Sequence, residues 1–164
     1  MDLETLIAGM EFARARVLET LGRIEGSGGD AEQVMQWRPG PGIPNITWHA
    51  MHCAATHHKY ERVVLGKGSL QETALVAAYG GSDTQPNQEE PSLEQIRDSL
   101  ANHFESIKAY LRGRPPNDLM LRVPGPGTER SIGEWVILLA WHEAHHQGQM
   151  HLTWNLYRQA HAPR

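Results

Sequence analysis

Apolar residues recur every three or four positions in four stretches of the chain, the spacing that places them on one face of an α-helix. The first stretch runs from about Leu3 to Leu21 and the second from about Ile46 to Leu65. The third covers about Leu93 to Leu111, and the fourth runs from Ile132 to about Arg158. Four amphipathic helices of this length predict an all-α four-helix bundle, and we expect residues 1–164 to form one domain.

Local signals support these boundaries. Asp2 and Asn45 stand directly before the first and second helices, where their side chains can cap free backbone N–H groups. Capping boxes open the third and fourth helices: Ser92 with Gln95, and Ser131 with Glu134. Residues 67–91 form a long connection, in which the apolar patch Ala74–Tyr79 is either a helical turn or a loop. Only Leu119–Val123 resembles a strand, and it is too short to found a sheet.

Composition limits the class of protein and its partners. The net charge of −4 argues against a nucleic-acid partner, because phosphate binding needs a basic patch. The longest apolar stretch, Trp135–Trp141, is far too short to span a membrane. The acidic N-terminus does not resemble a signal peptide, and Cys53 is the single cysteine, so we expect a cytoplasmic protein without an internal disulfide.

Histidine is the residue type that points to chemistry. The chain has ten histidines, and seven of them lie within residues 49–58 and 142–146. On a helical wheel His142 and His146 fall in the middle of the core-facing stripe of the fourth helix, one turn apart. Buried imidazoles are costly unless they are satisfied, and side chains at i and i+4 can share one divalent cation. The simpler reading is that both histidines hydrogen-bond to other core groups.

A third ligand is expected from the second helix. His52 and His49 both lie on its inward face, whereas His57 and His58 are expected toward the rim of that face and the solvent. The packing of the two helices can bring His52 to His142 and His146. Three neutral nitrogen ligands with open positions are typical of a catalytic metal site. His49 is the alternative third ligand or a pocket residue. The remaining candidates for lining the pocket or orienting ligands are Thr56, Tyr60 and Gln149.

The segment beginning at His142 also matches H-E-x-x-H, the zincin protease signature. A zincin needs a further ligand downstream, but no Asp or Glu follows His146, and the extended motif would need Gly at 149 and His at 152. Zincins also hold peptide substrates on a sheet, and the pattern predicts no strands for one. These features disfavour a protease, and we interpret Glu143 as a solvated surface residue, with a general base beside the ion as the alternative.

Two segments together resemble the DinB-like superfamily, the DNA-damage-inducible-protein type of four-helix bundle. They are "WRPGPGIPNITWHAMHCAATHHKY" (37–60) and "SIGEWVILLAWHEAHHQGQMHLTW" (131–154). The resemblance implies helices in 1-2-4-3 order with a long crossover between helices 2 and 3. It also implies a metal ion, nickel, zinc or manganese, held by one histidine of helix 2 and two of helix 4. Motif matching assigns these to His52, His142 and His146, the same three that the wheels select.

The resemblance further implies homodimers and, in some relatives, thiol-dependent S-transferases or isomerases that use mycothiol, bacillithiol or glutathione. Related sulfoxide synthases hold iron with H-x-x-x-H-x-E, but Gly148 stands in the place of that glutamate here, which disfavours their activity. Our hypothesis is a divalent-metal-dependent enzyme acting on a small molecule, either S-transferase-like with a low-molecular-weight thiol or hydrolase-like. The catalytic residues are not predicted. The alternatives are a non-enzymatic, metal-binding dimeric bundle and a plain bundle without metal.

Overall fold

The computed structural model describes residues 2–65, 74–81, 90–125 and 127–162. Its regular elements in chain order are α1 (Leu3–Glu25), α2 (Ala31–Gln36), α3 (Ile46–Leu65), α4 (Ala74–Ala77), α5 (Leu93–Arg112), a 3-10 helix (Pro116–Met120), β1 (Arg122–Gly125), β2 (Thr128–Ser131) and α6 (Ile132–Ala160). The four long helices are α1, α3, α5 and α6, which confirms the all-α bundle. Much of the connection predicted at 67–91 lies outside the described residues.

The predicted caps are formed. The Asp2 side chain accepts a hydrogen bond from the backbone N–H of Thr5, and Asn45 Oδ1 accepts one from Trp48 N at 2.8 Å. Both capping boxes, at the starts of α5 and α6, have their two reciprocal hydrogen bonds. Each cap satisfies donors that a helix leaves free at its start, which is why these boundaries could be located from short motifs.

The long helices form two parallel pairs. α6 packs against both α1 and α3, and α3 also packs against α5. α1 and α6 run parallel, since the amide of Gln147 donates to Thr20 Oγ1 near their C-terminal halves and Leu6 lies beside Gly133 near their starts. Around the bundle the order is therefore α1, α6, α3, α5, which differs from the 1-2-4-3 order that the resemblance implied. Neighbouring α3 and α5 are also parallel, since the starts of both lie in one apolar cluster and Ser106 in the second half of α5 donates to Glu61 near the end of α3. A parallel pair is the arrangement that the expected long crossover between these helices requires.

The interior has two apolar clusters separated by a polar layer. One cluster lies around the first half of α3 and the second half of α6, and includes Met51 and Met150. The other lies around the first half of α6 and includes Trp135. Between the two, buried charged and imidazole side chains lie on all four long helices: Arg14, His57, His58, Glu61, His103 and Glu143. A polar layer of this kind must be internally paired to be tolerated.

Three small elements were not predicted: α2, the 3-10 helix and the two-stranded hairpin. α2 is a single short helix capped by Asp30, and the hairpin β1–β2 pairs Arg122 with Ser131 and Gly125 with Thr128. The hairpin lies against the start of α6, where Gly125 contacts the buried Trp135 ring. None of the described helices combines the length and the apolar content that a bilayer span requires.

Candidate metal centre

The structure brings His52, His142 and His146 together between α3 and α6. One ring nitrogen from each can be chosen so that all three lie within 4.8 Å of one another. Nε2 of His146 and Nε2 of His142 are 3.2 Å apart, close to the separation of about 3.3 Å between two ligands of a tetrahedral zinc ion with bonds of about 2.0–2.1 Å. Two helices therefore supply three clustered imidazoles, and one pair of their nitrogens already has the spacing that a shared divalent cation requires.

Hydrogen bonds orient two of the three rings. His52 Nδ1 lies 2.7 Å from the backbone oxygen of Tyr79, so this nitrogen carries the proton and donates it, leaving Nε2 as the lone-pair nitrogen. His146 Nδ1 lies 2.9 Å from Nδ1 of His49, so one of these two nitrogens donates to the other. A proton on the Nδ1 of His146 would leave its Nε2 free to face His142. Partners of this kind fix the tautomer and orientation of metal-binding histidines.

Trp48 forms one wall of the site. Its ring stacks on His52 with centroids 4.5 Å apart and an interplanar angle of 11°, and it meets His49 and His146 edge-on. His49 is buried, and His52 and His142 are each partly exposed. The cluster is thus packed on one side and accessible on the other, which is the layout of a site that exchanges ligands with solvent.

Burial keeps these imidazoles neutral. It is the largest cause that lowers the pKa of His49 and of His142 to about 4 and that of His146 to about 2, and neighbouring histidines lower them further. The pKa of His52 is also lowered by burial, against the opposing effect of its bond to Tyr79. Neutral imidazole is the form that binds metal. Nδ1 of His142 is buried without a hydrogen-bond partner among the described residues, and the donor set as a whole fits a divalent ion.

The other pocket residues predicted from sequence lie at different distances from this cluster. His49 touches it directly through His146. Thr56 is buried one turn after His52, whereas Tyr60 packs on Trp135 in the second apolar cluster, with ring centroids 4.9 Å apart. The contact found for Gln149 is its amide with Nε2 of His145, at 2.9 Å on the exposed side of α6. Whether these four side chains line a substrate pocket stays a prediction.

Glu143 is buried, and the prediction that it is a solvated surface residue was wrong. Its carboxylate forms an ion pair with Arg14 of α1, and its Oε2 lies 3.1 Å from Nε2 of His57 on α3. Burial raises the pKa of Glu143, but His57 and Arg14 outweigh that effect and hold it at about 2. His57, expected near the rim, is also fully buried. Arg14 is an arginine at a core-facing position of α1, and that was the one signal in the sequence for this pair.

The family assignment follows from comparison with known families. The model of the DinB superfamily matches residues 9–150, and the chain belongs to that superfamily. The match covers all four long helices in large part, and it includes the three clustered histidines. No curated protein and no solved structure matches the chain.

Proposed function

We propose that this protein is a divalent-metal-dependent enzyme that acts on a small molecule, with the ion held by His52, His142 and His146. The observation that carries the proposal is the convergence of three neutral imidazoles on a partly exposed site. When bound, the ion would supply a positive charge that lowers the pKa of a coordinated thiol or water. Three protein ligands leave at least one position for such a group.

The chain's own residues have separable roles in this proposal. The backbone oxygen of Tyr79 holds the proton of His52 on Nδ1. In this proposal His49 accepts a hydrogen bond from Nδ1 of His146, which leaves Nε2 of His146 as the metal-binding nitrogen. Trp48 excludes water from one side of the cluster. The carboxylate of Glu143 is held by Arg14 and His57 rather than by the three clustered histidines, so in this proposal it acts as a structural residue and not as a base.

Metal content tests the ligand assignment. Wild-type protein purified with added zinc, nickel or manganese should hold about one more ion per chain than His142→Ala or His146→Ala, as measured by elemental analysis. His151→Ala is the matched control, because His151 lies on the same helix outside the cluster. Equal metal content in the wild type and both ligand variants would contradict the assignment.

Melting temperature and turnover distinguish two candidate reactions, thiol transfer and hydrolysis. If the substrate is a thiol, then glutathione, bacillithiol or mycothiol should raise the melting temperature of the metal-loaded wild type and leave that of His52→Ala unchanged. If the protein is a hydrolase, ester or amide turnover should need no thiol and should disappear on chelation. Bound metal without turnover in either panel would instead identify a non-enzymatic metal-binding bundle.

We also propose that the protein forms a homodimer through the outer face of α6. Four large apolar side chains are exposed on one ridge of that helix, spaced four, eleven and four residues apart: Ile137, Trp141, Leu152 and Leu156. A ridge of this kind can pack against its own copy across a two-fold axis. Light scattering after gel filtration should give twice the chain mass for the wild type and a monomer for Trp141→Glu. A monomeric wild type would overturn this proposal.

A further inference from the structure

A second cluster of side chains of the types that ligate metals lies in the polar layer between α3 and α5. His58 and Glu61 are three residues apart on one face of α3, and His103 faces them from α5. Their exposures are 1%, 0% and 4%, and one ligand atom from each lies within 4.8 Å of the other two. Two imidazoles and a carboxylate, all buried and mutually close, form a donor set that zinc prefers.

Two of the three side chains in this group already have the spacing of ligands on one ion. His103 Nδ1 is 3.3 Å from Glu61 Oε2, about the separation of two ligands in a tetrahedral zinc site. The His58 and His103 rings meet at 65° with their centroids 4.8 Å apart. Drawing the His58 nitrogen slightly inward would complete three ligands around one point.

Ser106 supports the carboxylate from outside the group. Its hydroxyl donates to Glu61 Oε1 at 2.6 Å, which leaves Oε2 directed at His103. Ligating carboxylates in metal sites are held by outer hydrogen bonds of this kind. Burial also lowers the pKa of His103, so at neutral pH the ring is uncharged and available as a ligand.

We propose that His58, Glu61 and His103 form a second divalent-cation site, selective for zinc-like ions, that cross-links α3 to α5. It differs from the histidine cluster between α3 and α6 in being closed to solvent and in containing a carboxylate. Its role is therefore structural: the ion joins two parallel helices at mid-bundle and offsets the charge of Glu61. The rival reading of the same contacts is a metal-free hydrogen bond from His103 to Glu61.

Zinc titration of a variant that lacks the first cluster separates the two sites. Chelator-treated His142→Ala/His146→Ala protein should still bind one zinc ion by calorimetry. In that background His103→Ala or Glu61→Gln should weaken binding by at least about 100-fold, and Ser106→Ala, which removes only an outer partner, by about 10–100-fold. His161→Ala, an exposed histidine elsewhere, is the control and should change nothing. No zinc bound in the His142→Ala/His146→Ala protein, or binding that is indifferent to residues 61 and 103, would overturn the proposal.

A crystallographic measurement keeps the test decisive if a buried variant fails to fold. Wild-type crystals soaked in zinc should show two anomalous peaks per chain, one of them between residues 58, 61 and 103. A peak at the first cluster alone would overturn the second site and leave the proposed function standing. A peak at the second site alone would support that site and contradict the ligand assignment of the proposed function.

Discussion

Replacing Arg14 by methionine should be among the most destabilising single changes in this bundle. Arg14 is 5% exposed and Glu143 1%. The guanidinium bonds both carboxylate oxygens of Glu143 through Nε and Nη2, and its Nη1 donates to the backbone oxygen of Leu100. Methionine keeps most of the apolar volume but leaves a buried carboxylate, for which His57 is the remaining close partner among the described residues. Breaking one side of a buried ion pair costs about 3–5 kcal/mol.

Urea unfolding at pH 7, followed by circular dichroism, measures this cost. The matched control is Arg23→Met, since Arg23 also pairs with a glutamate, Glu19, but both side chains are more than a third exposed. We expect the control to lose less than about 1 kcal/mol. The double variant Arg14→Met/Glu143→Leu, which replaces the pair by apolar groups, should recover most of the loss.

The pH dependence provides an independent check of the mechanism. In the wild type the pKa of Glu143 is about 2, below its ordinary value of 4.5, so the stability it contributes is present above pH 4.5 and is lost as the pH falls toward 2. Without Arg14 this pKa rises, and the variant has less of that contribution to lose. The difference in free energy of unfolding between wild type and Arg14→Met should therefore become smaller below pH 4.5. If Arg14→Met lost no more unfolding free energy at pH 7 than Arg23→Met does, the reasoning would be refuted.

Three further predictions concern packing, capping and protonation. Gly125→Ala should cost about 1–3 kcal/mol of unfolding free energy, because the added Cβ would overlap the buried Trp135 ring. The control Gly9→Ala should be neutral or stabilising, because the space around Gly9 is open. Urea unfolding midpoints measure both effects. Ser131→Ala removes the capping box of α6 and should cost about 1 kcal/mol in thermal unfolding. In metal-free protein the pKa of His142 is about 4 in the folded state and 6.5 in the unfolded state. The unfolded state therefore binds more protons between pH 4 and 6.5, and the free energy of unfolding rises with pH in that range. His142→Gln should reduce this pH dependence in urea titrations, and an unchanged dependence would contradict the assigned burial.

The parts of the fold that could be predicted are those that short stretches of sequence determine. The bounds of α3 agree with the prediction at both ends, because Asn45 caps its start and a glycine follows its end. α5 and α6 begin where their capping boxes place them. The positions of His142 and His146 on one face of α6 also follow from helical geometry alone, since residues four apart lie side by side.

The parts that could not be predicted depend on which helices surround a given face. A helical wheel assigns one buried stripe, but α6 packs against α1 and α3 and so is buried over a wider arc. Glu143 lies in the added part of that arc and meets Arg14, which is far away in the chain. His58 was expected at the solvent and is buried for the same reason, since α5 covers that side of α3. The hydrogen bond from His52 to the backbone oxygen of Tyr79 could not be predicted, because the pattern of side chains does not indicate which backbone groups approach a histidine.

Glu143 also links the stability of the bundle to the candidate metal centre, because it follows His142 directly on α6. Consecutive helical residues point about 100° apart, so the ion pair with Arg14 fixes the rotation of α6 that aims His142 at α3. His57 contacts the same carboxylate from α3, so side chains of α1, α3 and α6 meet at one buried group. A rotation of α6 that carried His142 away from His52 would pull Glu143 off Arg14 and leave its charge buried and unpaired. The cost of breaking that pair therefore resists the loss of ligand alignment, and Arg14→Met should weaken metal binding although Arg14 touches none of the three histidines.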